Sequence, residues 1–523
     1  MCEIDLSRYC DPKTLPEAMA LHKSGAIFHI KHTQAVDGSP LIQGKALDSF
    51  HFVNHPWLRL IPHTTVPDAY GCDCNAGQRS DRMCVHCAAL VLALELGDME
   101  PMPIPTPNPV PVTIPEPVPT LPPQPEPDLL PFDPEVSNPR SMEILLGHRL
   151  SDETPVQWLP NDTEQVFHTN MGIIGTMGTG KTQLTKSVVT QLYRAQENNF
   201  NGYPLGILIF DYKGDYNETK QDFVSATKAR VLKPYRLPFN PLALHRTQTF
   251  KPLLPMRTAN EFKDTISKIF NLGVKQQQLL LNCIIKAYAK CGILPEEPGT
   301  WDRTPPTFAQ VYQIFEEESA GRPLDSLTAA MSKIQQFCLF EADPKKAMPL
   351  GKLLQGVVVI DLSGYDSDIQ SLIVAITLDH FYAYMHKTGS SRTDGRFRQQ
   401  RYFVLVDEAD SFMSQDFPSL RKILKEGREF GVGTILSTQS LTHFVGGEDD
   451  YSRYVLTWVV HNVSDLKQKD VEYIFKLPPK SPEIAKQYGT IKALHKHESV
   501  IKLANDRPIS IRDMAFWQLD RQK

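Results

Sequence analysis

Between Pro101 and Pro139, 16 of 39 residues are proline, in a run that reads PMPIPTPNPVPVTIPEPVPTLPPQPEP. Proline fixes φ and lacks an amide donor, so this stretch can join neither a helix interior nor a central strand. The pattern predicts an extended polyproline linker over residues 100–140, which at about 3.1 Å per residue holds its flanks up to roughly 100 Å apart. A chain of 523 residues is also too long for one hydrophobic core, because cores divide beyond roughly 250–300 residues. Folded units are therefore expected on either side of the prolines, a small one over residues 1–99 and a large one over 141–523.

Hydrophobic residues make up 41% and charged residues 22% of the chain, the balance of a globular protein. No apolar run approaches the roughly 18–20 residues needed to cross a bilayer. The first thirty residues interleave acids and bases through every apolar stretch, which excludes a secretory signal. A cytoplasmic protein without a membrane anchor is expected. The net charge of −5 is uneven: −3 over residues 1–99 and −6 over 100–139, leaving +4 for the large unit. That mild excess is weak support for nucleic-acid binding, which normally shows a clear basic patch.

The large unit alternates apolar runs with helical patterns. Met171–Gly175, Gly206–Phe210, Val357–Leu362, Tyr402–Val406, Gly433–Ser437 and Tyr454–Val460 read as strands buried on both faces. With helices between them, they predict an α/β domain with a mainly parallel sheet. From about 245 to 350 the strand signals give way to helical ones, such as Glu261–Phe270 and Gln276–Lys290, so an all-α insertion is expected there. The small unit, with short strand-like runs and then an apolar helix over Ala88–Leu96, reads as α+β.

Residues Gly175, Thr176, Met177, Gly178, Thr179, Gly180, Lys181 and Thr182 match GxxxxGK[ST], directly after a strand and before a helical pattern. Such a loop turns successive N–H groups toward one centre at a helix N-terminus and cradles phosphates. Lys181 would neutralise phosphate oxygens and Thr182 would offer its hydroxyl to Mg²⁺. The second motif is an apolar strand ending in Asp407-Glu408-Ala409-Asp410. Asp407, at the carboxyl edge of the sheet, is a Mg²⁺ ligand candidate, Glu408 is placed to polarise the attacking water, and Asp410 reads as a helix cap. Together they predict an ATP hydrolase; a GTPase reading lacks the Asn-Lys-x-Asp base-reading motif.

A two-lobed helicase is excluded by length. Only 83 residues follow Ser440, less than the roughly 100–150 of a further lobe. A lone P-loop domain still needs a cation against the developing γ-phosphate charge, an effect of about 10³–10⁵ in rate. That cation must come from a neighbouring subunit, and Arg428 in Lys425-Glu-Gly-Arg428-Glu-Phe-Gly-Val-Gly is the candidate finger.

Residues 143–515 resemble the HerA/FtsK superfamily of ring-forming, ATP-driven DNA pumps, on the HerA side. The matching pieces are GTMGTGKT, FDYKGDY, VVVIDLSGY, VLVDEAD, GREFGVG and ILSTQS. The resemblance implies a RecA-like domain, a hexameric ring, double-stranded DNA as the substrate moved, and a subunit-crossing role for Arg428. It also implies that Gln439 senses the γ-phosphate and that Asp211 on the second strand matters for hydrolysis. Asp215 stands where the family has Glu. The small β-barrel with which HerA members usually begin has no signal before residue 143, and the membrane helices and winged helix of FtsK are absent. The insertion is similar to that of HerA-like ATPases of prokaryotic defence and mobile-element systems.

Nine cysteines in a chain expected to be cytoplasmic argue against a disulfide framework. Four of them crowd into Cys72-Asp-Cys74, nine further residues, then Cys84-Val-His86-Cys87. Three thiolates and an imidazole at one tetrahedral centre favour Zn²⁺. The cluster resembles the SWIM-type zinc finger over about residues 24–97, which implies Cys72, Cys74, Cys84 and His86 as ligands, with Cys87 the alternative to His86. SWIM modules are associated with DNA or protein contacts. The leading expectation is thus an ATP-driven translocase on double-stranded DNA. The alternative is an ATP-dependent assembly switch that recruits a nuclease or other effector protein through the zinc module.

Overall fold

The computed structural model describes residues 9–10, 14–23, 27–34, 39–47, 53–54, 56–61, 67–72, 83–96, 140–247, 251–321, 323–409, 413, 417–445, 450–503 and 506–519. The proline-rich linker, Cys74 and Asp410 lie outside the described residues. The chain divides into two compact units, Met1–Gln124 and Pro125–Lys523.

The first unit runs α1 (Thr14–Lys23), β1 (Ile27–Gln34), β2 (Pro40–Leu47), β3 (Val53–Asn54), β4 (Trp57–Leu60), β5 (Pro67–Gly71) and α2 (Val85–Leu96). Its antiparallel sheet has the order β1-β2-β4-β5, with β3 paired to β2. The sequence of α2, VHCAALVLALEL, is apolar almost all round, so this helix must be covered on every side. It packs on α1 and on β1, β2 and β4. Helix α1 gives little pattern in the sequence because only Ala18 and His22 of it are buried.

The second unit is built on one sheet of eleven strands. In chain order these are β6 (Ile144–Arg149), β7 (Pro155–Trp158), β8 (Met171–Ile174), β9 (Gly206–Asp211), β10 (Arg230–Leu232) and β11 (Val357–Asp361). A hairpin of β12 (Thr393–Asp394) and β13 (Phe397–Arg398) stands apart from the sheet. Then follow β14 (Tyr402–Val406), β15 (Val432–Thr438), β16 (Thr457–Val460), β17 (Glu498–Lys502) and β18 (Ile509–Asp513). The spatial order is β10-β11-β9-β14-β15-β8-β16-β17-β18-β6-β7. The strands from β10 to β16 are parallel. The remaining four continue the sheet antiparallel.

Every residue of β8, β9, β11, β15 and β16 is buried, which is why those strands read as continuous apolar runs. Helix α3 (Lys181–Arg194) covers one face, with Leu184, Val188 and Leu192 against Ile173, Ile207 and Leu405. Between β10 and β11 lies the helical insertion: α4 (Gln221–Thr227) precedes β10, and α5 (Leu254–Phe270), α6 (Val274–Lys290), α7 (Phe308–Ser319), α8 (Ser326–Gln336) and α9 (Leu350–Leu353) follow it. Its Phe262, Leu280, Phe308 and Met331 share a core with Phe210, Val358 and Val404 on the opposite sheet face. Helix α10 (Ser367–Thr388) lies against α5 and α11 (Pro418–Glu426). Among the described residues no helix is long and apolar enough to cross a membrane.

Parallel strands give the sheet two chemically distinct edges. The loops that follow β8, β9, β14 and β15 share the carboxyl edge, and the segments that precede them share the amino edge.

Candidate functional site

The loop after β8 carries the phosphate motif. Gly178 and Gly180 have φ of 82° and 115°, a region in which a side chain is strained. Gly180 is needed twice, because a Cβ there would lie 2.7 Å from Nδ1 of His497. The loop is held from below by backbone bonds. The amide of Thr176 donates to the Asn462 carbonyl at 2.8 Å, that of His497 to Thr179 O at 2.9 Å, and that of Gly175 to Thr438 O at 3.2 Å. Lys181, at the start of α3, is buried, and its ammonium donates to the carbonyls of Gly175 (2.5 Å) and Thr176 (3.2 Å). A lysine so anchored lies inside the curl of the loop, where a bound phosphate would meet it.

Strand β14 ends at the same edge and carries Asp407 and Glu408. It is not adjacent to the P-loop strand: β15 lies between them, with Leu436 level with Val406 on one side and with Gly172 on the other. Asp407 is buried. Burial, with the carboxylates of Glu408, Asp215 and Asp211 nearby, pushes it up to about 6. A buried carboxyl beside further carboxylates, on the edge that also carries Thr182, has the oxygen chemistry that suits Mg²⁺.

Glu408 has a φ of 52°, a strained value for a residue with a Cβ. Its carboxylate accepts from Gln439 Nε2 at 2.9 Å through one oxygen and is ion-paired to Lys213 through the other. Burial raises this carboxyl, but the Lys213 and Gln439 bonds prevail and hold it below its usual range. Gln439, the first residue beyond β15, thus touches the catalytic candidate from the strand between the two motifs. The Lys213 partnership is one that sequence reasoning missed. The two residues are 195 positions apart, and the only signal was that Lys213 sits in the FDYKGDY motif.

Asp211, which the resemblance implies matters for hydrolysis, is buried at the end of β9. One carboxylate oxygen accepts from the amides of Gly214 (2.8 Å) and Asp215 (2.9 Å), and the other from Tyr216 (2.8 Å). Both oxygens therefore serve the turn after β9. That turn carries Lys213 to Glu408, and Tyr216 bonds to Thr185 of α3. Through these bonds Asp211 holds the turn that carries Lys213.

Arg428 is exposed, in a short turn (Gly427–Phe430) that leads into β15. It therefore lies at the amino edge of the sheet, while the P-loop lies at the carboxyl edge. Strand β15 separates them by six residue steps, about 20 Å at roughly 3.3 Å per residue. No arginine side chain spans that distance, so within one chain Arg428 cannot reach the P-loop.

In the first unit, Cys72 follows β5, while Cys84 and His86 lie at the start of α2; all three are buried. Their ligand atoms lie within 4.8 Å of one another, and Cys72 Sγ is 3.8 Å from His86 Nδ1. The Cys87 thiol hydrogen-bonds with Cys72 and Cys84, and this crowding raises Cys87 while lowering Cys84. The donor set fits a thiophilic tetrahedral cation, and of the two alternatives His86 and Cys87 it is His86 whose ligand atom lies within 4.8 Å of both Cys72 and Cys84.

Residues 146–381 match the family model described as helicase HerA, central domain. No curated protein matches the chain. Among solved structures, VirB4 of Thermoanaerobacter pseudethanolicus superposes with a TM-score of 0.53 and 16% identity, covering 73% of this chain and 98% of that one. Plasmid coupling protein TrwB in complex with ADP and Mg²⁺ gives 0.39 and 16% over 66% of this chain and 85% of that one. The same protein with the ATP analogue ADPNP gives 0.41 and 15% over 66% and 85%. The unit Pro125–Lys523 thus has a RecA-like P-loop fold, and its residues 146–381 are similar to the central domain of helicase HerA.

Proposed function

We propose that this chain hydrolyses ATP with Mg²⁺ and uses the cycle to move along double-stranded DNA as a ring of identical copies, in a DNA-processing or defence system. The observation that carries the proposal is the division of labour across the sheet. Phosphate loop, Glu408 and Gln439 share one edge, and the finger arginine stands at the other. A head-to-tail arrangement of copies brings the two edges together, and such heterologous contacts give a ring where the rotation between copies closes.

The P-loop amides and Lys181 hold the triphosphate. Thr182 and Asp407 would hold Mg²⁺, which when bound neutralises charge on the β- and γ-oxygens. Glu408, once detached from Lys213, orients a water and takes its proton. Gln439 exchanges its bond to Glu408 for one to the γ-phosphate and so reports occupancy to β15. Arg428 of the next copy meets the charge that develops on the transferred group. The HerA central-domain match supports a motor, and the +4 balance of residues 140–523 is compatible with DNA.

In the first unit, Cys72, Cys74, Cys84 and His86 would hold Zn²⁺, whose binding contributes folding free energy to a unit with a small core. The SWIM resemblance fits either DNA or a protein there, and the −3 balance of residues 1–99 suits a protein such as a nuclease or other effector at least as well as DNA.

The test is ATPase activity with and without duplex DNA over a salt series. Stimulation by DNA that collapses as salt rises is expected, because phosphate contacts release counterions. Activity indifferent to DNA yet altered by a partner protein would replace the motor with an assembly switch.

A further inference from the structure

We propose that Arg398 is a second subunit-crossing arginine, which acts beside Arg428 on the triphosphate bound by an adjoining copy of this chain. The inference rests on the reading of Arg428 as a finger in trans and adds a residue to it.

Arg398 ends the β12–β13 hairpin and lies four residues before β14, as Arg428 lies four before β15. Since Tyr402 and Val432 are level in the sheet, both arginines fall on the amino edge. The hairpin is fastened to the Arg428 turn. Ser391 donates to the Glu429 carbonyl through its amide (2.8 Å) and its hydroxyl (3.0 Å), and Arg398 Nη1 donates to that hydroxyl at 3.1 Å. From the other side the Arg398 amide donates to the Asn161 carbonyl at 2.8 Å. Arg398 is therefore placed by the same turn that presents Arg428.

Among the described residues no ion pair within 4.0 Å involves Arg398 or Arg428, although the Glu429 charge acts favourably on Arg398 from farther away. The neighbouring acid, Glu429, accepts instead from Ser390 at 2.9 Å. Nε of Arg398 is buried without a hydrogen-bond partner. Burial and the Arg428 charge both hold Arg398 below the ordinary arginine value, so the two cations feel one another. Arg396, on the same hairpin, differs: it pairs with buried Asp162 and with Glu164, and so has a structural account. Two neighbouring guanidiniums outside ion-pair distance of every described carboxylate, one with a buried donor unmet, form a receptor for a multiply charged anion. The anion that a head-to-tail neighbour presents at its carboxyl edge is the bound triphosphate.

The test uses the full chain and mixed assemblies. Arg398→Ala should lower ATPase at least about tenfold, less than the roughly 10³-fold expected of Arg428→Ala. In equal mixture with Lys181→Ala, either arginine variant should recover about a quarter of wild-type activity, because one interface in four then joins an intact P-loop to an intact arginine edge. Arg398→Ala mixed with Arg428→Ala should recover nothing, since no copy then offers both arginines. Arg398→Ala within twofold of wild type overturns the proposal. So does rescue of Arg428→Ala but not of a folded Arg398→Ala, or a loss confined to DNA stimulation with basal activity intact. Absence of rescue for Arg428→Ala overturns the trans reading itself. If Arg398→Ala melts well below wild type, Arg398→Gln, which keeps a donor for Ser391 but removes the charge, takes its place under the same criteria.

Discussion

The two edges of the parallel sheet differ in how their charges are satisfied. At the carboxyl edge the charged groups of the two motifs are enclosed by their own chain. Lys181 is lodged among loop carbonyls, Lys213 is paired to Glu408, Asp211 is bonded by three amides, and Asp407 is buried among carboxylates. At the amino edge Arg398 and Arg428 make no ion pair within 4.0 Å among the described residues, near a half-buried His168 whose Nδ1 is also unmet. On the proposed reading the first edge holds and attacks a phosphate. The second carries two arginines with no carboxylate within ion-pair distance among the described residues. The lesson is that completeness of a site must be judged across copies when one fold edge is saturated and the other is not.

The sharpest way to break the comparison is to disable the saturated edge without emptying it. Glu408→Gln keeps the shape and the Gln439 contact but removes the base. ATP should still bind while its cleavage falls about 10³-fold, measured as nucleotide retained uncleaved on the protein; hydrolysis at wild-type rate would remove Glu408 from the reaction. A smaller effect is expected of Lys213→Ala. The ion pair is partly exposed, with Lys213 42% accessible, so it contributes on the order of 1 kcal/mol. Releasing Glu408 from it should raise DNA-independent ATPase about fivefold, whereas a fall would mean that Lys213 assists the reaction.

The smallest effect sharpens the other edge. Burial first, and then the Arg428 charge, hold His168 down to about 4. A depressed histidine is neutral in the fold and protonated in the unfolded chain below about 6.5, so its contribution to stability is complete above that pH and lost as pH falls toward 4. In Arg428→Ala the His168 value, followed by NMR titration, should rise by roughly half a unit. An unchanged titration would show that Arg428 does not crowd this edge.

Much of the central sheet was legible because its strands are buried on both faces and leave uninterrupted apolar runs. The antiparallel flank was not, since strands such as β18 are only partly buried and short. The order of parallel strands leaves no local trace either. That β15 separates the P-loop strand from the strand of Asp407 follows from crossover connections, which no residue pattern encodes. In the site, GTMGTGKT and VLVDEAD were visible because each is a local motif. Lys213 on Glu408 and Arg398 beside Arg428 were not, because each pairing joins distant segments through the fold.

Strand β15 has Gln439 just beyond one end and Arg428 just before the other, and it is buried along its whole length. A rod so confined moves as one piece. On the proposed reading, a shift of the glutamine on loss of a phosphate would be felt at the far end by the molecule that the arginine faces. In the proposed ring, each cleavage event would then arm the next position, with a firing order set by the geometry of a single strand.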